Sequence, residues 1–400
     1  MHIYFCVVSR ILVIILSLFP LFCTAQQMRI GVFRQYNLKQ LVLAYSNGSY
    51  SIFGDTVQYG AILPTEFVNI SITETNKISL KVGVTEVAQA DKVLLISTKQ
   101  NQSLVYSPKS PVVKERKYKG DVEVTVKNGY LCVVNLVDLN DYLAGVVESE
   151  GGGGRELEYY KVQALMSRTY ALKYKTRHEK EGFELCDLVH CQAYHNQLRL
   201  TPLIDSAVIQ TAGLVLVDSQ NKLVDSYFHA NCGGQTSEPD YVWNNKIPYL
   251  SSFKDTFCVY TKQATWEVRI PQTEWRDFLV SRYHYPINDS VLGPMIYTFN
   301  QPDRYMFYQY PWLGIPLRDI REKFNLKSTL FNCFPDGTDV VLRGRGYGHG
   351  VGLCQEGAMK MAKYGYNFIQ IALYYFPGVH VMNMLDQQFF SQKPPRVELE

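Results

Sequence analysis

The chain is 400 residues long, enough for two ordinary domains or one large one, and 46% of it is hydrophobic against 19% charged. That is a globular composition and excludes a disordered chain. Forty lysines and arginines against 37 aspartates and glutamates leave a net charge of +3, without the basic stripe that a nucleic-acid partner demands.

Residues 1–25 read as a secretory signal: Arg10 supplies the positive charge, Ile11 to Phe22 the apolar run, and Cys23-Thr24-Ala25 the small residues before cleavage. An apolar run of about 12 residues is short for a span needing about 20, so cleavage is favoured over anchoring. The mature chain is expected to be exported to the periplasm or cell envelope, with no transmembrane span. Nine cysteines then become seven, an odd number that leaves at least one thiol free or metal-bound.

Residues 28 to about 106 alternate apolar and polar residues in short runs broken by turn signals such as Asn47-Gly48 and Gly54-Asp55, which predicts β-strands. Ser107-Pro108-Lys109-Ser110-Pro111 reads as a linker. Tyr118 to Leu136 predicts further strands, with a hairpin at Lys127-Asn128-Gly129. The strongest helix runs from about Glu156 to Thr176, where Val162, Leu165, Thr169, Leu172 and Thr176 recur at helical spacing. More strands and turns reach about Leu250, followed by an aromatic stretch over 259–316. A short helix near Leu317 to Phe324, a glycine-rich strand and a last helix from about Gln355 to Lys363 complete the chain. The class expected is α+β with mostly antiparallel sheet. The domains expected are the signal at 1–25, a β-rich region at 26–111, a catalytic domain at 112–385 and a tail at 386–400.

Three constellations carry chemistry. In Asp141-Tyr-Leu-Ala-Gly-Val-Val-Glu-Ser-Glu150, an apolar stretch read as the end of a strand delivers two glutamates just before the helix. Glu148 and Glu150 share a face if the chain is extended, and close carboxylates raise one another's pKa toward general-acid range. On spacing alone, solvated glutamates ahead of a flexible glycine hinge are the default. The second constellation, Cys186 to Cys191 with His190, Tyr194 and upstream His178, suits either zinc or a disulfide between the two cysteines. The third is an alternation of glycines from Gly344 to Gly352, whose bare face lets another backbone or a sugar approach. Aromatic residues including Trp275, Tyr305, Tyr308 and Trp312 suit either sugar stacking or core packing.

The segments DYLAGVVESE and YYKVQALMSRTYALKY resemble the signature of the stage II sporulation protein D family (SpoIID/LytB). Later segments are similar to that family's as well: Cys232-Gly-Gly-Gln-Thr236, Leu326-Lys-Ser-Thr329 and Gly344 through Ala358. The resemblance implies cleavage of peptidoglycan glycan strands by lytic transglycosylation, with Glu150, not Glu148, as the acid. Other family members are amidase enhancers, which makes a glycan-binding partner of a cell-wall amidase the alternative. The resemblance also implies zinc on Cys186, Cys191 and His178, with His190 as fourth ligand or site neighbour. It makes Arg168, Tyr194, His349 and Gln355 substrate-binding candidates. Where the family commonly has Met and Pro after the acid, this chain has Gly151 to Gly154, a run that loses much entropy on ordering. A zinc hydrolase on the Cys/His cluster is disfavoured, because two thiolates with imidazoles usually close a structural site.

Overall fold

The computed structural model of the protein describes residues 26–391, so the signal segment and most of the expected tail lie outside the described residues. Twelve strands occupy the N-terminal third: β1 (Gln27–Val32), β2 (Gln40–Asn47), β3 (Tyr50–Gly54), β4 (Val57–Ile62), β5 (Phe67–Ile72), β6 (Ile78–Val82), β7 (Thr85–Ala90), β8 (Lys92–Ser97), β9 (Ser103–Ser110), β10 (Arg116–Lys119), β11 (Asp121–Lys127) and β12 (Tyr130–Asp138). Period-2 alternation buries one face of each pair, as with Leu41 and Leu43 on β2, Val68 and Ile70 on β5, and Val122 and Val124 on β11. The strands form two sheets. One is ordered β10-β9-β2-β5-β6-β7. The other is ordered β1-β12-β11-β8-β3-β4, with the short strand Leu185–Cys186 added outside β1.

The hairpin expected at Asn128-Gly129 is present. Both residues have positive φ, +52° and +77°, as a type I′ turn requires, and Lys127 pairs with Tyr130. The stretch read as a linker is instead part of β9, where Ser107 and Pro108 pair with Val42 and Leu41. Its prolines are tolerated because β9 lies next to the short outermost strand β10, and the chain turns at a cis Ser110–Pro111 bond.

After β12 the chain enters helix α1 (Leu139–Gly151), started by the Asp138 side chain accepting from the Asn140 N–H. The apolar run Tyr142 to Val147 is therefore helical and not a strand end, a correction with consequences for the two glutamates. Helix α2 (Leu157–Lys173) packs on α1 and on α3 (Leu203–Gln210), and α2 is buried along most of its length. Helices Leu317–Lys323 and Gln355–Lys363 fall where the sequence places them, but the second is not the last, since helices Phe368–Tyr375 and Met384–Ser391 follow it. With mostly antiparallel sheets and helices packed on them, the fold is α+β.

A second apolar core lies beneath a three-stranded sheet, in which Asp339–Arg345 runs between Thr265–Pro271 and Phe331–Asp336. Trp275 and Tyr308 belong to this core, both donating to Ile296 O, so neither faces a sugar. Trp312 is exposed and stacked on Tyr310 at 5.6 Å, and Tyr305 is exposed as well. Much of the tyrosine content is core: Tyr118 contacts Tyr106 and Tyr194 at 5.0 Å each, and Tyr194 contacts Tyr142 at 4.9 Å. Among the described residues no helix is long and apolar enough to cross a membrane.

Candidate active site and metal clusters

The last turn of α1 carries Glu148, Ser149 and Glu150. At about 100° per helical residue, two positions apart diverge by about 200°, so the two glutamates leave on opposite faces rather than together. Glu148 accepts backbone N–H groups from Arg199, Leu200 and Thr201 at 2.7–3.0 Å, which makes it the anchor of the 193–201 loop. Ser149 Oγ accepts from His195 N. Glu150 is different. It is half-buried and takes one hydrogen bond, 2.7 Å from the Ala193 N–H, and no cationic side chain pairs with it among the described residues. Burial raises its pKa and the Ala193 bond only partly opposes this. Its place at the negative end of the helix acts in the same direction as burial.

The glycine run does not leave this acid on a loose hinge. Gly151 closes α1, and the Gly152 N–H bonds Glu148 O. Tyr160 Oη then donates to Gly152 O and accepts from the Arg155 N–H, both at 3.1 Å. Gly152 and Gly154 have φ of +65° and +71°, the reason glycine suits those two positions.

Behind Ala193 lies the first sulfur cluster. The donor atoms of His178, Cys186, His190 and Cys191 all lie within 4.8 Å of one another. Cys191 Sγ is 3.4 Å from His178 Nε2, and His190 Nδ1 is 3.7 and 3.8 Å from the sulfurs of Cys191 and Cys186. The other nitrogen of His178 bonds the Glu181 carboxylate at 2.5 Å, the arrangement that orients a metal-ligating histidine. The donor set can hold a metal ion. The loop is fastened to the sheet by Asp187, fully buried, which accepts from Phe33 N at 2.6 Å and pairs with Arg116 at 2.6 Å.

Two of the substrate-binding candidates are corrected by their surroundings. Tyr194 is fully buried, with its hydroxyl donated to Asn135 Oδ1, so it belongs to the tyrosine core. Arg168 is 1% exposed and donates to the carbonyls of Val208, Thr211 and Leu214, tying down the C-terminal end of α3. Gln355 touches the site from behind, donating to Glu150 O at 3.3 Å. His349 is half-buried against Trp243 at 5.1 Å and Tyr227 at 6.4 Å. Its Nδ1 accepts from the Val351 N–H, and burial with the Arg321 and Arg304 charges lowers its pKa to about 4, so the ring is neutral at pH 7.

The glycine comb receives protein, not sugar. A Cβ on Gly346 would lie 2.6 Å from Asn231 O, and one on Gly348 would lie 2.9 Å from the His229 Cβ. The comb closes on residues 227–233, whose strand Phe228–His229 pairs in parallel with Leu353–Cys354. The fold assembles a second cluster from residues distant in sequence. Cys232, Asp255, Cys258 and Cys354 also bring their donor atoms within 4.8 Å, every member buried. No local spacing reveals it, because its members are scattered over more than a hundred residues.

Residues 127–217, which hold α1, the acid, α2 and the first cluster, match the family model described as SpoIID, stage II sporulation protein. That segment carries a SpoIID domain. The chain is 27% identical over 270 residues to the stage II sporulation protein D of Bacillus subtilis, covering 62% of its own length and 75% of that protein. An uncharacterized protein of Brachyspira hyodysenteriae is 26% identical over 278 residues, 68% of this chain and 74% of its own length. The amidase enhancer of Bacillus subtilis is 23% identical over 286 residues, covering 59% of this chain but 39% of the enhancer.

Proposed function

We propose that this protein is an exported enzyme that cleaves peptidoglycan glycan strands by lytic transglycosylation, with Glu150 as the single general acid and base. The observation that carries the reading is the contrast between neighbouring carboxylates. Glu148 is consumed by three backbone amides, whereas Glu150 is held by one, has no cation beside it among the described residues and has its pKa raised by burial. A hydrolase would need a second carboxylate to activate water or attack the sugar. In transglycosylation the substrate supplies the nucleophile. Glu150 gives its proton to the bridging oxygen as the C1–O bond breaks. The muramic acid C6 hydroxyl then bonds to C1 and returns its proton to the carboxylate, closing a 1,6-anhydro ring.

Zinc is the metal that the first cluster suits, and Cys186, Cys191, His178 and His190 would hold it. Such an ion supplies folding energy and rigidity rather than chemistry on the sugar. This chain's own part is the short path from Cys191 to Ala193, whose N–H sets the carboxylate.

The alternative is a non-catalytic glycan-binding enhancer of a cell-wall amidase, favoured by the relative that bears the amidase enhancer name. Digestion of purified glycan strands in heavy-oxygen water separates the readings. Anhydro ends without label support the transglycosylase, labelled ends indicate a hydrolase, and intact strands indicate a binder.

A further inference from the structure

We propose that Cys232, Cys258, Cys354 and Asp255 form a second zinc site, buried in the core on the far side of Gln355 from the acid. The inference is independent of glycan cleavage. Cys232 Sγ is 3.2 Å from Cys258 Sγ and 3.3 Å from Asp255 Oδ2. A sulfur separation of 3.2 Å is well beyond the roughly 2 Å of a disulfide bond. Sulfurs bonded to one tetrahedral ion at about 2.3 Å lie about 3.8 Å apart, so the pair stands between the two arrangements and opens by about half an ångström to take the ion. Three soft sulfurs and one carboxylate oxygen make a closed four-ligand set for zinc.

The surroundings are those of a metal site rather than of spare thiols. The Cys232 N–H points at Cys354 Sγ at 3.3 Å, a donor suited to a thiolate. Asp255 is oriented by the Tyr375 hydroxyl at 2.9 Å and by the Phe257 N–H at 2.9 Å, outer contacts of the kind that fix a ligand's geometry. Gly357 makes room, since a Cβ there would lie 2.8 Å from Asp255 Oδ2.

Charge points the same way. Three thiolates and a carboxylate around a divalent ion carry a net charge of −2, which the core must offset. Arg304 is 4% exposed and donates to Cys232 O at 2.7 Å and to Gln235 O at 2.8 Å, with no carboxylate partner among the described residues. A buried guanidinium without an anion is costly, and the thiolate cluster is the anion at hand. A disulfide between two of the cysteines would remove two of the thiolates that offset Arg304 and leave the third cysteine and Asp255 without a shared ion.

The site would join three segments that are far apart in sequence. Cys232 follows Asn231, which bridges to Tyr347 of the glycine comb, Asp255 and Cys258 lie on a loop, and Cys354 precedes the helix whose Gln355 supports Glu150 O.

The test is zinc content by elemental analysis of the full mature chain, purified without chelator, beside C186S/C191S and C232S/C258S variants. Two equivalents in the wild type and one in each variant are expected. Cobalt added to metal-free C186S/C191S protein should give the intense sulfur-to-metal charge-transfer bands of a three-thiolate site. One equivalent retained by C186S/C191S supports the proposal even if the first cluster binds nothing or C232S/C258S does not fold. Zinc lost completely in C186S/C191S, or a mapped disulfide joining any two of Cys232, Cys258 and Cys354, overturns it.

Discussion

Glu150 is a carboxyl that the fold prefers protonated, and two measurable consequences follow from that preference. Removing a general acid costs about 10²- to 10⁴-fold in rate, so Glu150→Gln should abolish release of anhydro-ended fragments within that range. The same variant should be more stable at pH 7. A folded-state pKa above the unfolded value means stability is full below the unfolded pKa and is lost as pH rises through the folded one. Gln cannot ionise and keeps an oxygen for the Ala193 N–H. Its Tm should therefore exceed wild type at pH 7 and converge with it near pH 4. Equal Tm values at pH 7 would remove the argument for a strained carboxylate. Glu148 behaves oppositely. Glu148→Gln puts a neutral amide where three backbone N–H groups converge, a loss of about 1–3 kcal/mol. Thermal melts should show the drop, with activity retained below the lowered transition. A catalytic loss matching that of Glu150→Gln in folded protein would mean the roles are exchanged.

At the scale of elements, the comb and the α1 turn show how much the sequence displays. A Cβ at Gly346 meets Asn231 O at 2.6 Å and Gly233 N at 2.7 Å, with φ at +81°. Gly378 has a similar φ of +78° and nothing within 4 Å. Gly378→Ala should cost only the left-handed penalty, about 1–3 kcal/mol. Gly346→Ala adds a backbone clash, and its melting temperature should fall well below that of the control; equal drops would show that the comb yields freely. The alternation itself was legible, since a bare face invites close approach, but what approaches was not, because residues 227–233 lie more than a hundred positions away. The α2 and Gln355–Lys363 helices were legible from spacing and flanking signals. The end of β12 was not, because the apolar run Tyr142 to Val147 is only six residues long and a buried helix resembles a buried strand in such a run. The acid's residue number survived that misreading, since the motif fixed it, while its geometry with Glu148 did not. The second cluster had no signal beyond an odd cysteine count, as pairing at long range is set by the fold.

For the whole molecule, the N-terminal strands are structural partners of the site rather than an appendage. β1 lies between β12 and the strand Leu185–Cys186, with Gly31 opposite Cys186, and Val122 of β11 pairs with Leu95 of β8. Asp187, next to the first cluster, takes its N–H donors from Phe33 and Arg34. A fragment beginning at residue 112 would therefore strip β12 and β11 of a neighbour each and leave two long, open edges, the condition that favours aggregation. It would also deprive the buried Asp187 of two donors while its arginine remains, a loss of the kind that costs about 1–3 kcal/mol or more. We expect that fragment to be insoluble, or soluble with far-UV but no near-UV circular dichroism, the signature of lost side-chain packing. A fragment that melts cooperatively and keeps near-UV signal would show that α1, α2 and the 186–193 loop hold the acid without β1, and the path from sheet to Ala193 would then carry no positioning role.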